Sequence, residues 1–523
     1  MADTIQQTLR DQRDNPGTAI AYGDERISWK QYLDDAERQA STLIGLLDPD
    51  RPPHVGTLLG NTPAMLTALA AAGLGGYVLC GINNTRRGEG LARDVAKADV
   101  QILLVDEENR ALLDDVELPG VRVVAVESDE WRGQCAQADP LTPLCETGAM
   151  DPFMMIFTSG TSGDPKAVLV SNFMVTVAGQ FLVEKFGLTR DDVCYMAMPL
   201  FHSNAIASGY ALAITAGATM APAKFSASGF LSDIRRYGAT YMNYVGKPLA
   251  YILATPERPD DADNPLRIAF GNEAADRDIA EFGRRFGVMV LDAFGSTENA
   301  VIIGREADTP AGSVGRGLPG VAIYDPETVT ECAVAEFDDT GALVNADAAV
   351  GELVNTEGAS YFSGYYNDEK ANAERMRGGM YWSGDLAYRD ADGWIYLAGR
   401  TSDWMRVDGE NLAAAPVERV LMRLPAISRI AVYALPDPNG GDRVATAMVL
   451  RDGATLSAAE FADFLAAQPD LSPKAWPTVV RIAADLPSTA TNKILKRELV
   501  TLGTDAGADQ IWTREPRTKV YSE

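Results

Sequence analysis

The chain has 523 residues, too many for one small core, and its 46% hydrophobic and 23% charged residues are those of a globular protein with two or more domains. Its 46 basic and 73 acidic residues leave a net charge of −27, which argues against nucleic acid or an anionic membrane surface as the main partner. Five scattered cysteines, Cys80, Cys135, Cys145, Cys194 and Cys332, show no CxxC pair or metal-ligand spacing and fit free thiols in a reducing, cytoplasmic setting.

The N-terminus is polar and carries no charged-then-apolar leader pattern. Tyr32 to Leu47 then reads as an amphipathic helix, His54 to Leu59 as a strand with His54 in a structural role, and the Ala-rich Pro63 to Leu74 as a helix. Met65 to Ile82 contains no charge, but its glycines and its strand-like end, Tyr77 to Cys80, predict a buried helix running into a strand rather than a membrane span. Val100 to Val105 is a buried strand, and the alternation as a whole implies layered α/β structure with largely parallel strands. Two further strands, Phe153 to Phe157 and Ala167 to Val170, bracket a Ser/Thr/Gly loop.

Near residue 310 the pattern changes. Gly312 to Gly320 is rich in turn formers, and Ala322 to Tyr396 holds short strands and tight turns, predicting a β-barrel-like subdomain. A polar segment follows Arg400, and then helix Ala415 to Arg423 and strands Ser428 to Tyr433 and Val444 to Leu450 suggest a small α+β domain. The domain boundary is placed between Arg400 and Asp403, giving domains 1–401 and 402–523.

The loop Thr158-Ser-Gly-Thr-Ser-Gly-Asp-Pro-Lys166 is suited to phosphate. Glycines let backbone N–H groups converge, hydroxyls add donors, and Lys166 brings a positive charge on a long tether. It is not a Walker A loop, because Pro165-Lys166-Ala167 lacks both the last glycine and the magnesium-binding hydroxyl. A plain Ser/Gly turn between two strands is the competing reading.

Downstream stand Asp292-Ala-Phe-Gly-Ser-Thr-Glu298, Tyr381-Trp-Ser-Gly-Asp385, Gly399-Arg400 and Pro487-Ser-Thr-Ala-Thr-Asn-Lys-Ile494. With the opening loop, their order and spacing over nearly the whole chain resemble the acyl-adenylate-forming superfamily of acyl-CoA synthetases, adenylation domains and luciferases. The resemblance implies a large N-terminal AMP-binding domain and a small mobile C-terminal domain. It implies that Thr158, Ser159, Gly160, Thr161, Ser162, Gly163 and Lys166 hold the β and γ phosphates of ATP. Gly271, Asn272, Glu273 and Phe294 would frame adenine, with Gly295 also at the nucleotide, and Asp385 and Arg400 would contact the ribose. Thr297 would bond the α-phosphate and Glu298 would bind Mg²⁺. Lys493 would bridge the substrate carboxylate and the phosphate, and His202 would belong to the acyl site.

For the thioester step the resemblance implies rotation about a hinge at Ser402, with Asp403 to Asn411 lining the channel for the pantetheine of coenzyme A and Gly409 allowing close approach. The chain departs from the pattern at Ser402, usually aspartate or lysine, at Asn492, usually glycine, and at Phe294, more often tyrosine. Tyr241 to Lys247 and Arg406 to Leu412 resemble the long-chain branch, and actinobacterial fatty-acid–CoA ligases of steroid side-chain degradation in particular. The substrates so implied are ATP, coenzyme A and a bulky apolar acid, a steroid with a C24-type side chain first and a long-chain fatty acid second. The acyl pocket would form near Phe201 to Gly209, Tyr241 to Gly246 and Phe270 to Asn272. Loading of a carrier protein, or a non-catalytic binder of the same fold, are the alternatives, and a homodimer is left open.

Overall fold

The structure, a computed structural model, describes residues 2–158, 165–306, 308–339, 343–400, 404–407, 410–437, 442–469, 471–488, 494–515 and 518–522. The chain divides into two compact units, Met1–Ala300 with Ala359–Glu374, and Val301–Gly358 with Arg375–Glu523. The boundary expected at 401/402, with the hinge at Ser402, lies outside the described residues.

The first unit is built on two sheets. One has the strand order Arg122–Ala125, Ile102–Val105, His54–Leu58, Val78–Gly81, Pro152–Thr158, Lys166–Ser171, parallel except for its last pair. The other runs Met289–Asp292, Ile268–Asn272, Tyr241–Val245, Val193–Met196, Thr219–Pro222, Thr18–Tyr22, Glu25–Ser28, again parallel up to its final hairpin. Strands buried on both faces favour unbroken apolar runs, as in Ile102–Val105, and His54–Leu58 beside it is also buried throughout although it carries His54 and Thr57.

The helices follow the sequence pattern closely. Trp29–Leu46 begins at Ser28, whose hydroxyl accepts from the Gln31 N–H, and buries Tyr32, Leu33, Ala36, Ala40 and Leu43 on one stripe. The uncharged stretch is the buried helix Pro63–Gly75, ended by Gly76 at φ 74° and followed by Val78–Gly81. Among the described residues no helix is long and apolar enough to cross a membrane. All five cysteines are free.

His54 is structural, as expected. Its Nδ1 lies 2.7 Å from the Ala98 carbonyl, and Tyr366 packs edge-on at 5.1 Å. Burial pushes its pKa down, the backbone bond opposing. A folded state that holds imidazole neutral is most favoured above the unfolded pKa of about 6.5, and that advantage is lost as pH falls through the lower folded value. Unfolding titrations between pH 7 and 5 should therefore show stability dropping, with a shallower drop in His54→Gln. An identical slope in the variant would assign the acid sensitivity elsewhere.

The second unit holds an antiparallel eight-stranded sheet with the order Ile303–Gly304, Gly315–Gly317, Trp394–Arg400, Met380–Arg389, Gly351–Asn355, Val321–Asp325, Thr330–Glu331, and Met376–Arg377 also paired to Met380–Arg389. These are the short strands and turns that the sequence predicts. The C-terminal α+β part has the hairpin Trp404–Val407 with Glu410–Ala413, the helix Ala414–Leu421, and a sheet ordered Ile427–Pro436, Asp442–Leu450, Val479–Ile482, Gln510–Thr513. Its core gathers Met405, Leu421, Val432, Met448, Phe461 and Trp512.

Candidate functional site

The strands that bracket the Ser/Thr/Gly loop pair antiparallel, with Thr158 directly opposite Lys166. The register therefore fixes both ends of the intervening loop, while Ser159, Gly160, Thr161, Ser162 and Gly163 lie outside the described residues. Lys166 is 8% exposed, and its Nζ stands 5.0 Å from the ring centroid of Tyr365. The Tyr365 hydroxyl in turn donates to Glu298 Oε1 at 2.8 Å. A cation, an aromatic ring and a carboxylate from three distant stretches of sequence thus meet in one line.

Tyr365 is held on all sides. Its N–H donates to Asn372 Oδ1 at 2.7 Å, and Asn372 Nδ2 donates back to its carbonyl at 2.9 Å. The Leu169 N–H bonds the Gly364 carbonyl, and the Tyr366 N–H bonds that of Ala167. The segment around Tyr365 is thereby laid along the strand Lys166–Ser171, bridging Val168. The sequence reading missed this tyrosine, although the aromatic run Tyr361-Phe-Ser-Gly-Tyr-Tyr366 was the available signal.

The remaining candidates in this unit follow the C-terminal ends of four strands that neighbour one another in the seven-stranded sheet. His202 follows Val193–Met196, Gly246 follows Tyr241–Val245, Asn272 and Glu273 end Ile268–Asn272, and Phe294 to Glu298 follow Met289–Asp292. In open parallel sheets this edge is where ligands bind, because the loops there diverge and leave a crevice. A Cβ on Gly271 would come within 2.2 Å of the Tyr244 carbonyl oxygen, so only glycine fits. Glu273 adopts φ 64°, an unusual conformation for a residue with a side chain. Asp292 is anchored by the Tyr244 hydroxyl at 3.1 Å and the Ala274 N–H at 3.0 Å.

His202 caps the short helix Ser203–Ala205, which continues as a π-helix, Ile206–Ala211, and an α-helix, Leu212–Ala216. π-Turns are costly and concentrate at functional sites. Its two first residues reach the neighbouring loops: Ser203 Oγ and Thr297 Oγ1 share a hydrogen bond of 3.0 Å, and Asn204 Nδ2 donates to Asn272 Oδ1 at 2.9 Å. Phe294 and Glu298 are half-buried beside them, and Gly295 is exposed.

In the second unit Asp385 is 7% exposed and stands opposite Arg400 in the register of Met380–Arg389 with Trp394–Arg400. Its N–H donates to Ser383 Oγ at 3.0 Å. Gly384 beside it has φ 75°, and its N–H donates to Glu352 Oε1 at 2.7 Å. Burial pushes the Glu352 carboxyl up, opposed by that N–H and by Arg377, 3.2 Å away. For Arg400 only the strand position is described, and Gly409 and Lys493 lie outside the described residues.

Comparison with known proteins matches residues 8–366 to the AMP-binding enzyme family and residues 416–493 to the AMP-binding enzyme C-terminal domain. The chain is 52% identical over 511 residues to the Medium/long-chain-fatty-acid–CoA ligase FadD17 of Mycobacterium marinum, covering 97% of this chain and 98% of that protein. It is 42% identical over 502 residues to the Steroid-22-oyl-CoA synthetase of Rhodococcus jostii, covering 95% and 90%. Among solved structures, ATP-bound MatB from Rhodopseudomonas palustris shares the fold with a TM-score of 0.84 at 23% identity, covering 97% of this chain and 99% of that one.

Proposed function

Because the chain belongs to the AMP-binding enzyme family and is an AMP-forming acid–thiol ligase, we propose that it makes the coenzyme A thioester of a medium- to long-chain fatty acid. A steroid side-chain acid is the second reading, favoured by the 42% identical Steroid-22-oyl-CoA synthetase. The order reverses the sequence expectation, since the 52% identical relative is named for fatty acids. What supports the site assignment is the meeting of Lys166 and Glu298 on Tyr365.

In this reading the acid's carboxylate attacks the α-phosphorus of ATP, the bond to pyrophosphate breaks, and the thiol of coenzyme A then displaces AMP from the acyl carbon. Thr158 and Lys166 hold the departing phosphates. Thr297, steadied by Ser203, donates to the α-phosphate, where charge builds. Gly271 to Glu273 and Phe294 take adenine, and His202 faces the acyl chain.

Magnesium fits this donor set as a single-carboxylate ion. Among the described residues no three His, Cys, Asp or Glu side chains cluster as a metal cage. Mg²⁺ needs none, since one or two carboxylates with phosphate oxygens and waters complete its octahedron. Glu298, with Oε1 fixed by Tyr365, would supply that carboxylate, and the bound ion would neutralise phosphate charge.

The test is a thioester assay with free coenzyme A across fatty acids of graded length and steroid acids of graded side-chain length. The expected result is ATP-dependent thioester and pyrophosphate, with the highest kcat/KM on a medium- or long-chain fatty acid. A steroid acid at the top would establish the second reading. No pyrophosphate with any acid would leave a nucleotide or acyl binder without catalysis.

A further inference from the structure

Three asparagines form one hydrogen-bonded line beneath the strand ends. Asn243 Nδ2 donates to Asn204 Oδ1 at 2.8 Å, Asn204 Nδ2 donates to Asn272 Oδ1 at 2.9 Å, and Asn272 Nδ2 donates to the Ala293 carbonyl at 2.5 Å. A backbone carbonyl only accepts, so Asn272 must turn its NH₂ toward Ala293 and its oxygen toward Asn204. Asn204 must then donate to Asn272 and accept from Asn243. The direction of every link is fixed from the Ala293 end.

The same logic leaves one oxygen over. Asn243 is 2% exposed, and its Oδ1 has no hydrogen-bond partner. It faces Gly209 of the π-helix, where a Cβ would come within 3.4 Å. A leucine at 243 would remove that unpaired oxygen but would also take away the donor to Asn204 Oδ1, so what the amide at 243 serves is Asn204. The amide in the strand Tyr241–Val245 thus holds Asn204 at the cost of one unpaired oxygen of its own.

We infer that Asn204, backed by Asn243, is a positioning residue that sets the nucleotide loop from the acyl side of the site. The inference rests on the reading of Gly271 to Glu273 and Phe294 as the adenine frame. Through Asn272 the line reaches the Ala293 carbonyl, one residue before Phe294, and adds a side-chain tie where Ile268–Asn272 and Met289–Asp292 end their backbone pairing. Ser203 adds an independent tie from the same short helix to Thr297. Loss of Asn204 leaves Asn272 Oδ1 without its donor and frees its amide to turn, so the Ala293 carbonyl loses its side-chain partner while the Ala293 N–H stays bonded to Gly271.

The test measures binding of a non-hydrolysable ATP analogue in the presence of Mg²⁺, and thermal unfolding, in the full-length protein. Asn204→Leu, close in shape to the original, should weaken analogue binding about tenfold, and Asn243→Leu, which spares the bond from Asn204 to Asn272, about threefold. Asn204→Leu in an Asn272→Leu background should weaken binding no further, because the line is already cut. Should Asn204→Leu fold poorly, Asn204→Ser carries the same expectation for analogue binding.

Analogue binding within twofold of the original in a folded Asn204 variant overturns the inference. So does a double variant whose loss is the product of the two single losses, or a larger binding loss at the more deeply buried Asn243 than at Asn204. Failure of the unaltered protein to form any thioester while the analogue series behaves as expected would instead refute the ligase reading and leave the positioning role standing.

Discussion

Replacing Lys493 by alanine is expected to slow acyl-adenylate formation on the order of a thousandfold while leaving thioester formation from supplied acyl-adenylate within about threefold of the original. The split follows from charge. In the first half-reaction a carboxylate must approach a triphosphate, two anions that repel, within a chain whose net charge is −27. One ammonium on a flexible stem can contact both and is strongest where the developing charge sits in a water-poor site. In the second half-reaction a thiol attacks a neutral acyl carbonyl, and that particular repulsion is gone. Pyrophosphate release measured with ATP and acid, against coenzyme A thioester measured with preformed acyl-adenylate, separates the two. Equal losses in both assays would remove Lys493 from its assigned role.

Glu298→Gln should lower kcat/KM for Mg²⁺-ATP about a hundredfold and raise the Mg²⁺ concentration needed for half-maximal rate. Glutamine keeps the shape and retains a carbonyl oxygen able to accept from the Tyr365 hydroxyl, so the line from Lys166 through Tyr365 persists and the melting temperature should hardly move. Only the negative charge is lost, and that charge is what a hard divalent cation binds. Tyr365→Phe is the complementary change. It keeps the ring beneath Lys166 but frees Glu298 Oε1, and should cost about tenfold in kcat/KM through misplacement of a carboxylate that is still charged. A magnesium dependence unchanged in Glu298→Gln would take that residue out of the metal site.

Much of the local structure was legible from periodicity and punctuation. The stripe of Tyr32, Leu33, Ala36 and Ala40 marked a helix, the unbroken apolar runs at 102–105 and 153–157 marked buried strands, and the glycines beyond residue 310 marked the change to short antiparallel strands. These signals survive because they arise within a few residues. His54 could be read as structural for the same reason, from its place at the head of a buried strand.

The sequence by itself determined the order of the chemistry-bearing motifs, Thr158 to Lys166, Thr297 and Glu298, Asp385, Arg400 and Lys493, and with it the family to which the chain belongs. Only the tertiary structure decided which other residues meet Lys166, Thr297 and Glu298 within the first unit. Tyr365, 67 residues from Glu298, enters the site because its backbone pairs with Val168 and Ala167. Asn204 and Asn243 join Asn272 because a parallel sheet brings the ends of strands far apart in sequence to one edge. Arg285 is likewise an ordinary charged residue in the sequence, yet it is 6% exposed, paired with Asp261 at 2.6 Å and bonded to the carbonyls of Thr255 and Pro256. Side-chain spacing along one element follows from its backbone period, whereas a contact between elements depends on sheet order and register, which no local pattern encodes.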